Sequence, residues 1–259
     1  MRRLIIEEPV SRAALWAPRV AWFALAVTLM AVAVIRFQLV ELMPGVAALV
    51  AGLFLAVEAA GLALFAFVRI WMEGRRGLGM AIRGLVLALL ILGYPGYFAV
   101  RALIRPPLND VSTDIDDPPT FSRSRAALEA RGGRIPPDVA PEARRLQRQA
   151  YPQIAPLTLD LPAEQVYDLV RRAAQSRGWQ IIEAARPGGR VGLGRLEAVD
   201  RTFLLRLPDD ITVRIRPRAD GARIDVRSAS RIGQHDLGQN AQRIQRFLEE
   251  VANLAIAVQ

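Results

Sequence analysis

The sequence predicts a membrane α unit of three transmembrane helices followed by an α+β soluble domain, an antiparallel sheet with a long C-terminal helix. Three observations carry that expectation. Three long apolar runs fall within the first hundred residues, a proline-rich stretch follows them, and alternating apolar and charged residues then lead into a final amphipathic segment. The implied divisions are residues 1–104 for the spans, 105–153 for an extended proline-rich linker, and 154–259 for the soluble domain.

The first run, Val20–Ile35, is uncharged for 16 residues and reaches spanning length with its flank back through Pro18 and Trp16. The second, Met43–Val68, is apolar for 26 residues apart from Glu58, and the third, Leu78–Val100, is 23 residues with Arg83 near its start. A bilayer crossing takes about 20 apolar residues, and an arginine near a helix end snorkels to the interface. Arg2, Arg3, Arg12 and Arg19 precede the first run, and Arg69, Arg75 and Arg76 separate the second from the third. Only Arg36 sits in the opposite loop. The positive-inside rule then puts the N-terminus in the cytoplasm and the C-terminal domain across the membrane. In a bacterium that is the periplasmic or outer side of the inner (plasma) membrane. Ala48, Gly52, Ala56 and Ala60 recur at four-residue steps, a seam along which a membrane-protein partner can approach. Glu58, a carboxyl within a span, is a candidate intramembrane site.

Composition excludes more than it suggests. The chain has no cysteine, which removes disulfides, iron–sulfur clusters, thiolate metal sites and cysteine nucleophiles. Its one histidine, His235, cannot build an ordinary zinc site alone. All 34 basic residues are arginine, interspersed with 25 acids and without aromatic interleaving, so the pI near 11.2 does not indicate nucleic acid. No cofactor or resident metal is expected.

Nine of the 17 prolines lie between Arg101 and Pro156, which reads as an extended strap rather than a core. A short helix is expected from Pro141 through the Arg144–Gln149 stretch. The segment Leu108-Asn109-Asp110-Val111-Ser112-Thr113-Asp114-Ile115-Asp116-Asp117-Pro118-Pro119-Thr120-Phe121 resembles the motif of an uncharacterised family, domain of unknown function 1499. So do the stretches Pro208–Arg216 and Ile224–Gly233, and Asp236-Leu237-Gly238-Gln239-Asn240 continues the likeness, which covers about residues 108–255. The resemblance implies relatives in the bacterial envelope or organelles, some with several N-terminal spans, and no established activity. It makes Asn109, Asp110, Thr113, Asp114, Asp117, Arg227, Ser228, Ser230, Arg231, Gly233, Asp236 and Asn240 the candidate binding residues. The aspartate run lacks EF-hand spacing, so Asx turns and backbone capping are its simpler reading against a calcium loop.

In the soluble domain strands are expected at Ile154–Leu161, Trp179–Ala185, Arg190–Val199, Thr202–Leu207, Ile211–Pro217 and Ala222–Ser230. A helix opened by Pro162 carries the stripe Val166, Leu169, Val170 and Ala173. A last helix begins near Asp236, its N-cap, with Ile244, Phe247, Leu248, Val251, Leu254 and Val258 on one face. The pattern resembles a helix-grip architecture, whose interior often takes an apolar ligand. A type I′ turn at Asp220-Gly221 would pair Ile215 with Val226 and Arg214 with Arg227. That register places Ile211, Val213, Ile215, Ile224 and Val226 on a core face. It leaves Arg214, Arg216, Arg223 and Arg227 around Asp225 on the other, a candidate surface for an anionic lipid or polymer. Ser228, Ser230, His235 and Asp236 do not compose a triad, since no nucleophile elbow is present; no catalytic residue is assigned. The leading functional expectation is a membrane-tethered envelope binding or scaffold protein. An envelope hydrolase or transferase and an accessory subunit of a membrane complex are the alternatives.

Overall fold

The computed structural model describes residues 9–188 and 192–257. Arg2 and Arg3, the expected strand start at Arg190, and Val258 lie outside them. The chain divides into two compact units, residues 1–100 with 204–206, and residues 101–203 with 207–259.

The first unit contains α1 (Arg12–Arg36), α2 (Leu42–Glu73) and most of α3 (Leu78–Ile104), all long and apolar enough to cross a membrane. They pack through layers of small side chains: Ala14, Ala66 and Ala81, then Ala21, Ala59 and Ala88, then Ala24, Ala56 and Ile91. Such layers bring backbones close, which is how helices associate where no hydrophobic effect separates them from lipid. Two glycines are required by that closeness. A Cβ on Gly52 would lie 2.5 Å from Thr28 Oγ1, and one on Gly84 would lie 2.8 Å from the Ala17 backbone. Half of the expected partner seam is taken up within the unit. Gly52 and Ala56 are buried in the three-helix packing, Gly52 against α1, while Ala48 is exposed and Ala60 half-buried.

The second unit is built on a six-stranded antiparallel sheet. Its strands are β1 (Asp110–Ser112), β2 (Leu157–Leu159), β3 (Gln180–Ala185), β4 (Gly194–Arg201), β5 (Pro208–Arg218) and β6 (Gly221–Ser230). The order is β1-β6-β5-β4-β3, and β2 shares the outer edge of β6 with β1. The helices are α4 (Arg125–Ala130), α5 (Pro141–Ala150), α6 (Ala163–Ser176) and the C-terminal α7 (Gln239–Ile256). α6 and α7 lie on one sheet face. Leu169, Val170, Leu196, Ile211, Ile215, Ile224, Ile244 and Phe247 occupy the space between as one buried cluster, and Trp179 stacks on Phe247 at 4.6 Å.

Three expectations need correction. The run Thr202–Leu207 is the turn joining β4 to β5, closed by Thr202 N–H to Leu207 O at 2.9 Å with Arg206 at φ +54°. The antiparallel pairing of Arg201 with Pro208 leaves no length for a strand there. The last hairpin turns at Ala219-Asp220, pairing Ile215 with Ile224 and Arg214 with Asp225. That is two residues from the expected register, and because side chains alternate with period two, both faces keep their residues. Gly221, at φ +141°, is reserved for the approach of the Leu159 carbonyl on β2.

The third correction concerns the strap. It is extended at its prolines, yet it supplies β1 to the sheet, and Leu108, Val111 and Tyr151 enter the core. Gln147 of α5 lies along the free edge of β1, accepting from Ser112 N–H at 3.1 Å and donating to Ser112 O at 2.6 Å. A side-chain amide thereby satisfies one residue of an open edge.

Candidate functional site: an arginine face clasped by the strap

On the sheet face away from α6 and α7, strand alternation lines up Arg195 and Glu197 of β4, Asp210, Thr212, Arg214 and Arg216 of β5, and Arg223, Asp225 and Arg227 of β6. The aspartate motif closes over them. Asp110 takes Arg227 in a two-point pair, Nε–Oδ1 3.0 Å and Nη2–Oδ2 2.7 Å. The Arg227 guanidinium also donates to Pro119 O at 3.4 Å and Pro137 O at 2.6 Å, and lies over the Phe121 ring. Arg223 bonds Asp114 at 2.7 Å and Asp225 at 2.8 Å, and Arg214 bonds Asp225 at 3.1 Å and the Asp117 carbonyl at 2.7 Å. Arg216 pairs with Asp117. The three arginines expected to meet an anionic ligand, Arg214, Arg216 and Arg223, thus meet the protein's own carboxylates. The planar fork of arginine and the two oxygens of each aspartate suit this multipoint pairing.

Within the strap the Asx turn is present, Asp117 N–H donating to Asp114 Oδ1 at 3.0 Å. Thr113 extends the β1 ladder, its N–H donating to Val226 O and its hydroxyl accepting from Val226 N–H, both at 2.9 Å. Among the described residues no group of three His, Cys, Asp or Glu is placed to hold a metal ion.

Deeper on the same face is a cluster whose central pair, Arg131 and Glu197, the sequence motifs did not mark. Arg131, fully buried, pairs with Glu197 and lies 3.4 Å from Asp210, while its Nη1 donates to Ser122 O at 2.8 Å. Arg231 makes a two-point pair with Asp210, at 3.0 and 2.8 Å, and donates to Ala130 O at 3.0 Å. Phe121 has guanidinium groups 5.0 and 4.9 Å from its ring, from Arg131 and Arg227. Burial pushes the Glu197 and Asp110 carboxyls above their ordinary values, against the pull of Arg131 and Arg227 respectively. Glu183 is displaced the other way, because the Ser124 hydroxyl donates to it at 2.6 Å.

The remaining motif residues gather where the core face turns polar. Asn240 accepts from Ser228 Oγ at 2.7 Å, and its amide donates to Asn109 O and Ser230 Oγ, both at 3.0 Å. Asn109 donates to the carbonyl of Gly233, which sits at φ +84°. Arg243 of α7, unmarked by the sequence reading, ties Ser228 and Asn240 to Asp200 at 2.7 Å and Asp209 at 2.5 Å. Asp236 is two residues before the N-cap, which is Gly238; its carboxylate accepts from Gly238 N–H at 2.8 Å and Asn240 N–H at 2.7 Å. It does the work of a cap from outside the capping position. His235 is committed as well. Its Nδ1 accepts from Leu237 N–H at 3.0 Å, which makes Nε2 the protonated nitrogen, facing the carbonyls of Arg105 and Ala102 at 3.0 and 3.3 Å. With both nitrogens engaged by backbone, His235 is not disposed as a base towards Ser228.

What the strap leaves open is a cleft of about 540 Å³ lined by Thr120, Phe121, Arg123, Ile135, Pro136, Pro137, Asp138, Arg195 and Arg227. Arg227 spends its donors on Asp110 and two carbonyls. Arg195 donates to the Thr120 hydroxyl at 3.5 Å and acts on Glu183 and Glu197 through space, but neither it nor the exposed Arg123 is held in an ion pair among the described residues.

A bundle-forming apolar helical unit joined to an antiparallel sheet, with an N-terminal strap clasped across an arginine face, defines the class of protein. The family described as "Protein of unknown function (DUF1499)" matches residues 110–251, and the chain belongs to it. The match begins at Asp110, the strap's partner for Arg227, and ends within α7. No curated protein matches the chain.

Proposed function

We propose that this is a membrane-tethered binding protein of the cell envelope. Its three helices span the inner membrane, its N-terminus is cytoplasmic, and its strap-and-sheet domain holds an anionic group on the outer side. The helices' length and apolarity support the tether, and the arginines flanking them support the orientation. The observation that carries the binding role is the charge balance of the arginine face. Arg214, Arg216, Arg223, Arg227, Arg131 and Arg231 are matched by carboxylates, whereas Arg123 and Arg195, which flank the open cleft, have no ion pair among the described residues. Two guanidinium groups beside a wall of Ile135, Pro136 and Pro137 suit a phosphate or carboxylate carried on an apolar or lipid-like body. The strap and sheet act together here, since the cleft takes residues from both.

Thermal unfolding of the detergent-solubilised full chain tests the site, with inorganic phosphate and glycerol 1-phosphate as probes. A ligand that binds only the folded state raises the midpoint, with a stabilisation that grows as the logarithm of its concentration over Kd. Stabilisation is expected, weakening with salt, and the double variant Arg123→Ala/Arg195→Ala should lose it. Equal stabilisation of parent and variant would remove the cleft from consideration. A larger effect of glycerol 1-phosphate points to a lipid headgroup. The orientation is checked separately: a C-terminal alkaline phosphatase fusion should be active and a fluorescent-protein fusion dark, the reverse pair overturning it.

A further inference from the structure

The buried face of α2 has a counterpart on its other side. Gly45, Gly52, Ala56, Ala59, Ala63 and Ala66 are buried in steps of three, four and seven. Two residues on from these lies a second stripe with the same 3.5-residue period, Ala47, Ala51, Phe54, Glu58, Gly61, Phe65 and Val68, and all of it is exposed. A two-residue offset is about 200° around a helix, so the stripes face opposite ways. Glu58 is at the centre of the outward one. At about 1.5 Å per residue it lies roughly 22–24 Å from either end of α2, too far for its side chain to reach an interface about 15 Å from the bilayer midplane. Arg83 does not relieve it, since that side chain is exposed and bonds the Gly79 carbonyl at 3.2 Å. No hydrogen bond or ion pair of Glu58 occurs among the described residues. One turn away, a Cβ on Gly61 would meet nothing within 4 Å.

We infer that this stripe is a docking surface for a second copy of the chain, with the two Glu58 carboxyls meeting at the helix crossing. The inference rests on α2 spanning the membrane. A polar side chain facing lipid at mid-depth is stable when another helix offers it a hydrogen bond. A carboxyl is its own complement, because two of them bond through a shared proton, so a symmetric contact satisfies both at once. The 3.5-residue period is that of left-handed helix pairs that keep one seam in register. Ala51 and Gly61 allow close approach on either side of Glu58, and Phe54 and Phe65 lie next to them along the seam.

The chain has no cysteine, so single cysteines report the contact without background. Ala51→Cys and Gly61→Cys probe the stripe, and Leu90→Cys, on the exposed side of α3, is the control. Oxidation in native membranes should yield disulfide-linked homodimers from the first two and not from the third. Adding Glu58→Ala should lower the crosslinked fraction about tenfold, the scale of one lost interhelical hydrogen-bonded contact. Glu58→Gln, which keeps a donor and an acceptor, should retain it. Alkaline carbonate extraction of the same membranes tests the spanning reading separately, because release of the protein would refute that reading itself. Retention in the membrane without stripe-specific dimers, dimers indifferent to Glu58→Ala, or crosslinks to another polypeptide would overturn the pairing.

Discussion

The densest chemistry at the residue scale is the buried pair of Arg131 and Glu197. Removing one partner strands a charge in the interior, which costs about 3–5 kcal/mol. Glu197→Leu and Arg131→Leu should each lower domain stability by that order in denaturant unfolding. The double replacement should be milder than either, since neither charge is then left alone. Titration separates two other carboxyls by sign. Glu183, held below its ordinary value by Ser124, gives stability that is present above the unfolded carboxylate value and is lost as pH falls through the lowered one. Asp236, pushed up by burial against its two N–H donors, gives stability that is present below the unfolded value and is lost as pH rises through the raised one. Ser124→Ala removes both the hydroxyl on Glu183 and the N-cap that accepts from Ala127 N–H, a loss of about 1 kcal/mol. The thermal-midpoint gap between parent and variant should narrow on acidification, and a constant gap would leave only the cap. Of these residues, the sequence pointed to Asp236 through its position before an amphipathic helix. Arg131 and Glu197 carried no such mark, because pairing across 66 residues is a product of the fold.

Elements that run on a fixed period were legible, and those defined by a distant neighbour were not. α6 and α7 announced themselves by apolar spacing, and β5 and β6 by alternation that survived a misplaced turn. β1 is three residues of a charged, proline-flanked motif, and only its pairing with Ala229, Ser228 and Arg227 makes it a strand. The turn after β4 read as a strand because Phe203, Leu204, Leu205 and Leu207 are apolar. Two expectations follow for these elements. A fragment starting at residue 150 lacks β1, Leu108 and Val111, so it should lose cooperative unfolding, whereas one starting at 105 should keep it; calorimetry decides. Reversing Arg214, Arg216 and Arg227 to Glu should unfold the domain, since each would face the aspartates that the arginine binds. In the helical unit, Gly52→Val drives a side chain into Thr28 and should cost about 1–3 kcal/mol by overpacking, measured as a lower unfolding midpoint in detergent.

For the whole molecule, the division into an apolar helical part and a sheet domain was readable from composition alone. How the domain closes was not. Asp110 and Arg227, which fasten the strap to the sheet, are 117 residues apart, and Asn109 and Asn240 are 131 apart. Contacts of such long range form late, because loop-closure entropy must be met before they return anything. At typical synthesis rates of about 5–20 residues per second, the strap waits roughly 6–23 s for the strand that completes it. Through that interval its aspartates and prolines remain in water, a composition poorly suited to aberrant strand pairing. A ribosome stalled between the end of α3 and the start of β6 would therefore hold a chain with its apolar helices complete and its clasp still open.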